Sequence, residues 1–531
     1  MKNAFRAATT SLSLILFVAL VLRVSFLWQY QHDHPRQAVS VVPFLFESGN
    51  IAHSLATGQG FASPFRVNTG PTAWMPPVYP LLLAAIFRIF GPYTFSSFLA
   101  AALFNIFCAT FTCIPIFFAG KRIAGLSAAA VAAWLWAIFP NAILIPVESM
   151  WDASLSALLV AAILWATIAV AESQRARDWA AYRFLWGFTL LTNATLMVLL
   201  PLLLAWLAYR AHKQNRKWFG SLALSLGIVI LCCMPWTIRN YKIFHTFVPL
   251  RSGLGLQLWL GNDDNTQDIF RAERHPIYDA TERARYVQMG EVAYMHEKQT
   301  AAVHYMLSHP ARETHLVTRR IISFWSGGTP TPLKDFLNAD ATWFRFVLLF
   351  NLLAALGALL GIIFLIRRRS PFWLPVAIFP LVFPWAYYLT LVLPRYRLPI
   401  DPVVLLLTAV ALETLFRGEN RASLKKVKIY ISNLRFTFKT FLQIRPHTLH
   451  NRLPRIVPNI LLDHRPIPAN QNVRRQRARP ILANDLMIRI QLLRPVHSVL
   501  RHKRAPRRFV FILADTHHLH LIAAIHCLQL F

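Results

Sequence analysis

The feature that most constrains this chain is its punctuation. Apolar runs of about 20 residues alternate with short basic clusters along the first four-fifths of the sequence. A run of that length crosses a bilayer only as a helix, because lipid offers its backbone no hydrogen-bond partners. The composition agrees: of 531 residues 56% are hydrophobic and only 15% are charged, where a soluble protein has nearer a quarter. The sequence therefore predicts an all-α, polytopic membrane protein. The five cysteines show neither a disulfide framework nor a zinc-ligand spacing.

Basic clusters orient the runs, since cytoplasmic loops carry the excess of Lys and Arg. Lys2 and Arg6 place the first span, Thr10–Trp28, with its N-terminus inside, and Gln29–Trp74 outside. Met75–Phe90 is apolar but short and broken by Pro76, Pro77 and Pro80, which suits a re-entrant segment. With that assignment Phe95–Ala119 runs inward, Ala124–Phe139 outward, Pro140–Asp152 turns outside, and Ala153–Val170 returns. Every later cluster (Arg175–Arg183, Arg210–Lys217, Arg367–Arg369) then falls inside. Phe184–Tyr209 is basic at both ends and too short for two full spans, so a pair of half-length helices turning near Thr192–Thr195 is expected.

Four regions follow: 1–238, a transmembrane region with a first external loop at 29–91; 239–341, an external helical region; 342–416, the last transmembrane helices; and a basic tail at 417–531. Within the external region Tyr278–Ser308 has helical spacing. Asn262–Asp264 lacks the acidic ligand twelve positions on that an EF-hand loop needs. The net charge of +32 is no argument for nucleic acid: the tail alone holds 22 Lys and Arg against 4 Asp and Glu, and the rest is spread over loops. The tail is expected to be disordered, near anionic lipid headgroups on the cytoplasmic side.

This topology collects ionisable residues on the outer face. Glu47 follows the first span; Glu148 and Asp152 lie in PVESMWDA; Arg239 in PWTIRNY; Arg251 in VPLRSGLG; Arg395 and Arg397 in PRYRLP. Charge at the hydrocarbon edge is costly and marks a pathway or a site. Arginine suits bidentate phosphate binding, and a carboxylate can take a proton from an incoming hydroxyl. Each residue also has a structural alternative: Glu47 as a helix N-terminal acid, Glu148 and Asp152 as a pair starting a span, the arginines as interfacial anchors. No Gly-rich nucleotide loop is present, so a donor without a nucleotide fits.

ESGNIAHSLATGQGF followed by GPTAWMPPVYPLLLAAIF resembles the first external loop of the GT-C glycosyltransferases. The branch holding protein O-mannosyltransferases and the lipid A aminoarabinose transferase is most similar. IPVESMWDA, PWTIRNYKIF, GEVAYMHEKQTAAVHYMLSHP, RRIISFWSGG and RYRLPIDPVVLLL extend the resemblance over roughly residues 10–416. The relatives' acid–Lys–Pro–Pro or His–Pro–Pro signature reads Trp74-Met75-Pro76-Pro77 here, and their Asp–Glu pair reads Phe46-Glu47.

The resemblance implies an inverting glycosyltransferase with a polyprenyl-phosphate-linked sugar donor and a lipid, glycan or protein acceptor. Its site would face the periplasm or lumen, most simply of a bacterial inner membrane, with Glu47 as the base or acceptor-positioning acid. Glu148 or Asp152 would assist it, and Arg239, Arg251, Arg395 and Arg397 would hold phosphate. No cofactor or metal is expected. A transporter or flippase of a lipid-linked anion, or an inactive binding subunit, are the alternatives.

Overall fold

The computed structural model describes residues 10–173, 175–263, 266, 272–327 and 342–416. These all belong to one unit, Met1–Glu419. The proposed disordered tail, and Asp264 of the excluded calcium loop, lie outside the described residues.

Among the described residues the regular structure is helical, apart from one isolated bridge between Ala62 and Pro71. Among the described residues six helices are long and apolar enough to cross a membrane: Leu12–Asp33, Phe95–Ala124, Ala153–Glu172, Ala194–Lys213, Phe219–Phe244 and Arg345–Arg367. A bent pair, Leu126–Ala137 with Pro140–Glu148, can make a seventh, its halves meeting at 42°. The protein is thus a multi-pass membrane protein. Its exposed apolar side chains, such as Phe17, Leu231 and Leu353, lie on these helices where lipid would meet them.

The centre of the bundle is Asp401–Phe416, whose first eleven residues are all buried. It packs on Thr342–Arg367 and Leu126–Ala137. The first contact is close because Gly361 has no side chain: a Cβ there would stand 2.1 Å from the Leu407 carbonyl oxygen. Small residues at such crossings replace the hydrophobic drive that lipid removes.

Val78–Phe90 is a 13-residue helix. At about 1.5 Å per residue it spans roughly 20 Å, short of a 30 Å hydrocarbon core. It packs on Glu47–Ala56, a short helix of the first loop, and this pair forms the re-entrant feature that the proline-broken run predicts.

Two local expectations change. Pro140–Asp152 is not a simple turn, because Pro140–Glu148 is helical: Pro140 sits at the first position, where a missing N–H costs nothing. Phe184–Tyr209 is not a pair of half-length helices. The first helix begins early, at Ala176, and runs to Thr192; the second, Leu199–Lys213, follows a short 3-10 turn. Tyr182 and Trp186 bury one side of the first helix, so its charged N-terminal stretch still folds as helix.

Candidate functional site

Glu47 is the first residue of its helix, and Phe46, its N-cap, supplies no side-chain cap. The carboxylate therefore stands beside free backbone N–H groups, where negative charge is favoured. Gly49 lets this helix lie against the preceding turn, since a Cβ would fall 2.1 Å from the Phe44 carbonyl oxygen. Ser48 Oγ then donates to the Met150 carbonyl at 2.8 Å, which ties Glu47 to the loop carrying Asp152.

That loop and six other segments enclose a cavity of about 210 Å³. Glu47, Asp152, Arg251 and Arg395, far apart in sequence, all line it. Two further groups complete its polar wall. His275 Nε2 lies 3.1 Å from Glu47 Oε1. Asn193 Nδ2 donates to Asp152 Oδ2 at 3.0 Å, and Ser156 Oγ reaches the same oxygen at 2.8 Å. Asn193 Oδ1 meanwhile accepts from the Thr195 amide at 3.1 Å, so the residue both closes the interhelical turn and orients the acid.

The two acids are tuned in opposite directions. Burial raises the Glu47 carboxyl, but the His275 hydrogen bond and charge, the helix amides and the Arg395 charge outweigh it, leaving it below its ordinary value. Burial raises Asp152 and prevails over Ser156 and the charges of Arg251 and Arg395. Among the described residues, no carboxylate forms an ion pair with Arg251 or Arg395. Arg395 lies over the Trp151 ring at 4.3 Å, and its Nε and that of Arg251 are buried without a hydrogen-bond partner.

The other anticipated residues go elsewhere. Arg239 donates to the carbonyls of Thr72 at 2.6 Å and Phe61 at 2.8 Å and stacks on Trp236, so it fastens the first loop. Arg397 is buried, paired with Asp401 at 2.6 Å and bound to the Trp325 carbonyl at 2.7 Å. Glu148 ends its helix away from the cavity, within electrostatic reach of Tyr30. None of the three lines the cavity. Trp74 and Met75 are buried, and Trp74 meets the His275 ring edge-on at 5.7 Å.

His275 is the residue that sequence reasoning missed. Its partner is 228 positions earlier, and no ligand spacing surrounds it. Glu47 and His275 offer two donor groups, and among the described residues no three His, Cys, Asp or Glu side chains converge. A larger open groove of about 1570 Å³ runs beside Glu291–Ser308, and no residue anticipated as functional lines it.

Residues 75–238 match the family model described as dolichyl-phosphate-mannose-protein mannosyltransferase. That segment carries a glycosyltransferase signature. The GT-C resemblance read from the sequence stands on this match. Asp152 and Asn193 lie inside the matched segment; Glu47, Arg251, His275 and Arg395 lie outside it.

Solved structures similar to the chain include the oligosaccharyltransferase AglB of Archaeoglobus fulgidus in complex with an inhibitory peptide and a dolichol-phosphate. Identity is 14%, over 79% of this chain and 51% of that one, with a TM-score of 0.44. Another is ArnT of Cupriavidus metallidurans bound to undecaprenyl phosphate, 15% identical over 75% of this chain and 77% of that one, with a TM-score of 0.32. The chain thus spans about half the length of the archaeal enzyme. No curated protein matches the sequence.

Proposed function

We propose that this protein is a membrane glycosyltransferase that moves a sugar from a polyprenyl-phosphate carrier to an acceptor hydroxyl or phosphate. One observation carries the reading: a single cavity joins two acids in different electrostatic states to two arginines that no carboxylate among the described residues pairs with. A site built for structure alone would neutralise those arginines, as it neutralises Arg397.

In the proposed reaction an acceptor oxygen attacks the anomeric carbon as the bond from that carbon to the carrier phosphate breaks. The configuration inverts, and the carrier leaves as polyprenyl phosphate. The acceptor proton passes to Glu47, whose low carboxyl is ionised and ready at neutral pH. His275 holds that carboxylate in place. Arg251 and Arg395 bind the leaving phosphate as its charge grows, the moment at which fixed donors are worth most. Asp152, aimed by Asn193 and Ser156, orients the acceptor. The distribution of basic clusters supports a cavity on the side away from the cytoplasm, the periplasmic face if the membrane is a bacterial inner one.

The experiment is transfer from a labelled polyprenyl-phosphate sugar by purified protein in vesicles. Release of polyprenyl phosphate with labelled acceptor supports the enzyme. Translocation without cleavage would make it a transporter, and binding alone a non-catalytic subunit.

A further inference from the structure

A second polar cavity sits at the far end of the same helices. Ala153–Glu172 begins beside Asp152 at the candidate site; its 20 residues rise about 30 Å, the thickness of a hydrocarbon core. The span Ala194–Lys213 likewise starts at the Asn193 turn and ends at this far side. There the ends of these two helices meet the starts of Ala176–Thr192 and Phe219–Phe244 around a cleft of about 500 Å³.

The cleft is lined by three cations, Arg183, Arg216 and Lys217, by the indoles of Trp179 and Trp218, and by no acid. The acids nearest in sequence already have partners: Glu172 pairs with Arg122, and Asp178 with Arg177 and with Ser173 at the cleft wall. Arg183 is fixed, donating from Nε to Ser225 Oγ at 3.1 Å and from Nη2 to the Ser221 carbonyl at 3.3 Å. Asn215 takes a left-handed conformation (φ 53°), which turns the chain so that Arg216 and Lys217 face the cleft. Among the described residues neither Arg216 nor Lys217 has an acidic partner. Trp218 caps the following helix without a side-chain bond, leaving that helix's first N–H groups beside the cations.

Three uncompensated cations, two indoles and a helix start at a membrane edge define an anion site, and indoles settle at the headgroup level. We propose that this cleft binds a phosphate ester, the headgroup of an anionic phospholipid in the leaflet opposite the candidate site. A phosphodiester would sit between Arg216, Lys217 and Arg183, with its glyceride against Trp179 and Leu222. The proposal rests on the cleft alone and does not depend on the glycosyltransferase reading.

The test uses the full chain in nanodiscs of phosphatidylcholine with a minor share of phosphatidylglycerol, with retained lipid read by native mass spectrometry. Wild type should retain phosphatidylglycerol in preference to phosphatidylcholine. The double variant Arg216→Ala, Lys217→Ala should lose that preference by about tenfold, and Arg216→Lys should keep most of it. Both residues lie outside the core, and a thermal scan checks that the variant folds. Equal preference in wild type and the double variant overturns the proposal. So does a wild type stabilised by inorganic phosphate with no preference between the two lipids, which would make dissolved phosphate the ligand.

Discussion

Glu47 and Glu291 make an instructive pair. Each is the first residue of its helix, and they are 5% and 4% exposed. Their partners differ. Glu291 accepts from the Ala73 amide at 2.7 Å, Ser252 Oγ at 2.6 Å, Tyr286 Oη at 2.6 Å and Thr72 Oγ1. It thereby pins the first loop and the Arg251 loop to the helical region. Glu47 has one side-chain partner, His275, and faces a cavity. A carboxylate with its acceptor sites filled is a fastener. One left short of donors at a cavity wall has capacity for a substrate, and that difference in satisfaction separates the proposed catalytic acid from the structural one.

The comparison breaks most visibly at Glu47. Glu47→Gln should lower sugar transfer by about 100-fold or more, the usual contribution of a general base. Retention of full transfer would remove Glu47 from the mechanism. Its effect on stability has a definite sign. Because the folded carboxyl lies below its ordinary value, ionised Glu47 stabilises the fold above that value and the benefit disappears as pH falls through the folded pKa. The Gln variant should therefore lack an acid-dependent component of stability that wild type shows.

Glu291→Ala should show the reverse balance. Several buried donors lose their acceptor at once, and each such loss costs about 1–3 kcal/mol, so thermal unfolding should come much earlier. Activity per folded molecule should fall only as far as Arg251 and Trp74 shift. A variant as stable as wild type would show that the four hydrogen bonds do not hold these loops.

Arginine offers the same contrast at smaller scale. Arg395→Ala should raise the donor KM by about tenfold, the loss of one charge-assisted contact, with little change in unfolding. Arg397→Ala strands Asp401 in the core and should destabilise by about 3–5 kcal/mol while leaving donor recognition in the surviving folded fraction unchanged. If both variants changed KM alone, the distinction between paired and unpaired arginines would fail.

These four residues also show what was legible in the sequence. Helix class and most spans follow from apolar run length, and the re-entrant helix from three prolines in a short run. Pro140–Glu148 was hidden because proline at a helix start and proline in a turn look alike from sequence. Glu47 was visible as an acid between apolar runs, and Asp152 and Arg395 as charges beside spans. Arg395 and Arg397 sit two positions apart in one motif, and the pairing of Arg397 with Asp401, four residues on, tells them apart. His275 had no local signal at all, because its meaning lies in one long-range contact.

The smallest effect, and the finest test of the two-acid arrangement, is at Asp152. Its carboxyl is raised by burial, so the folded protein holds this proton more tightly than the unfolded chain does. The sign is then opposite to that of Glu47: stability declines as pH rises through the raised value, and above it an ionised Asp152 costs the fold something. Asp152→Asn removes the charge and keeps an oxygen that can accept from Ser156 and Asn193. The variant should therefore be more stable than wild type at pH values above the raised one, as a thermal scan across pH would show. The gain should vanish as pH falls through the raised value, where wild type itself becomes protonated. Transfer should fall by about tenfold through the acceptor KM and less through kcat, since an orienting group acts on binding more than on proton transfer. A loss confined to kcat and as large as that of Glu47→Gln would instead exchange the roles of the two acids: the raised carboxyl would be the base and the lowered one its positioning partner.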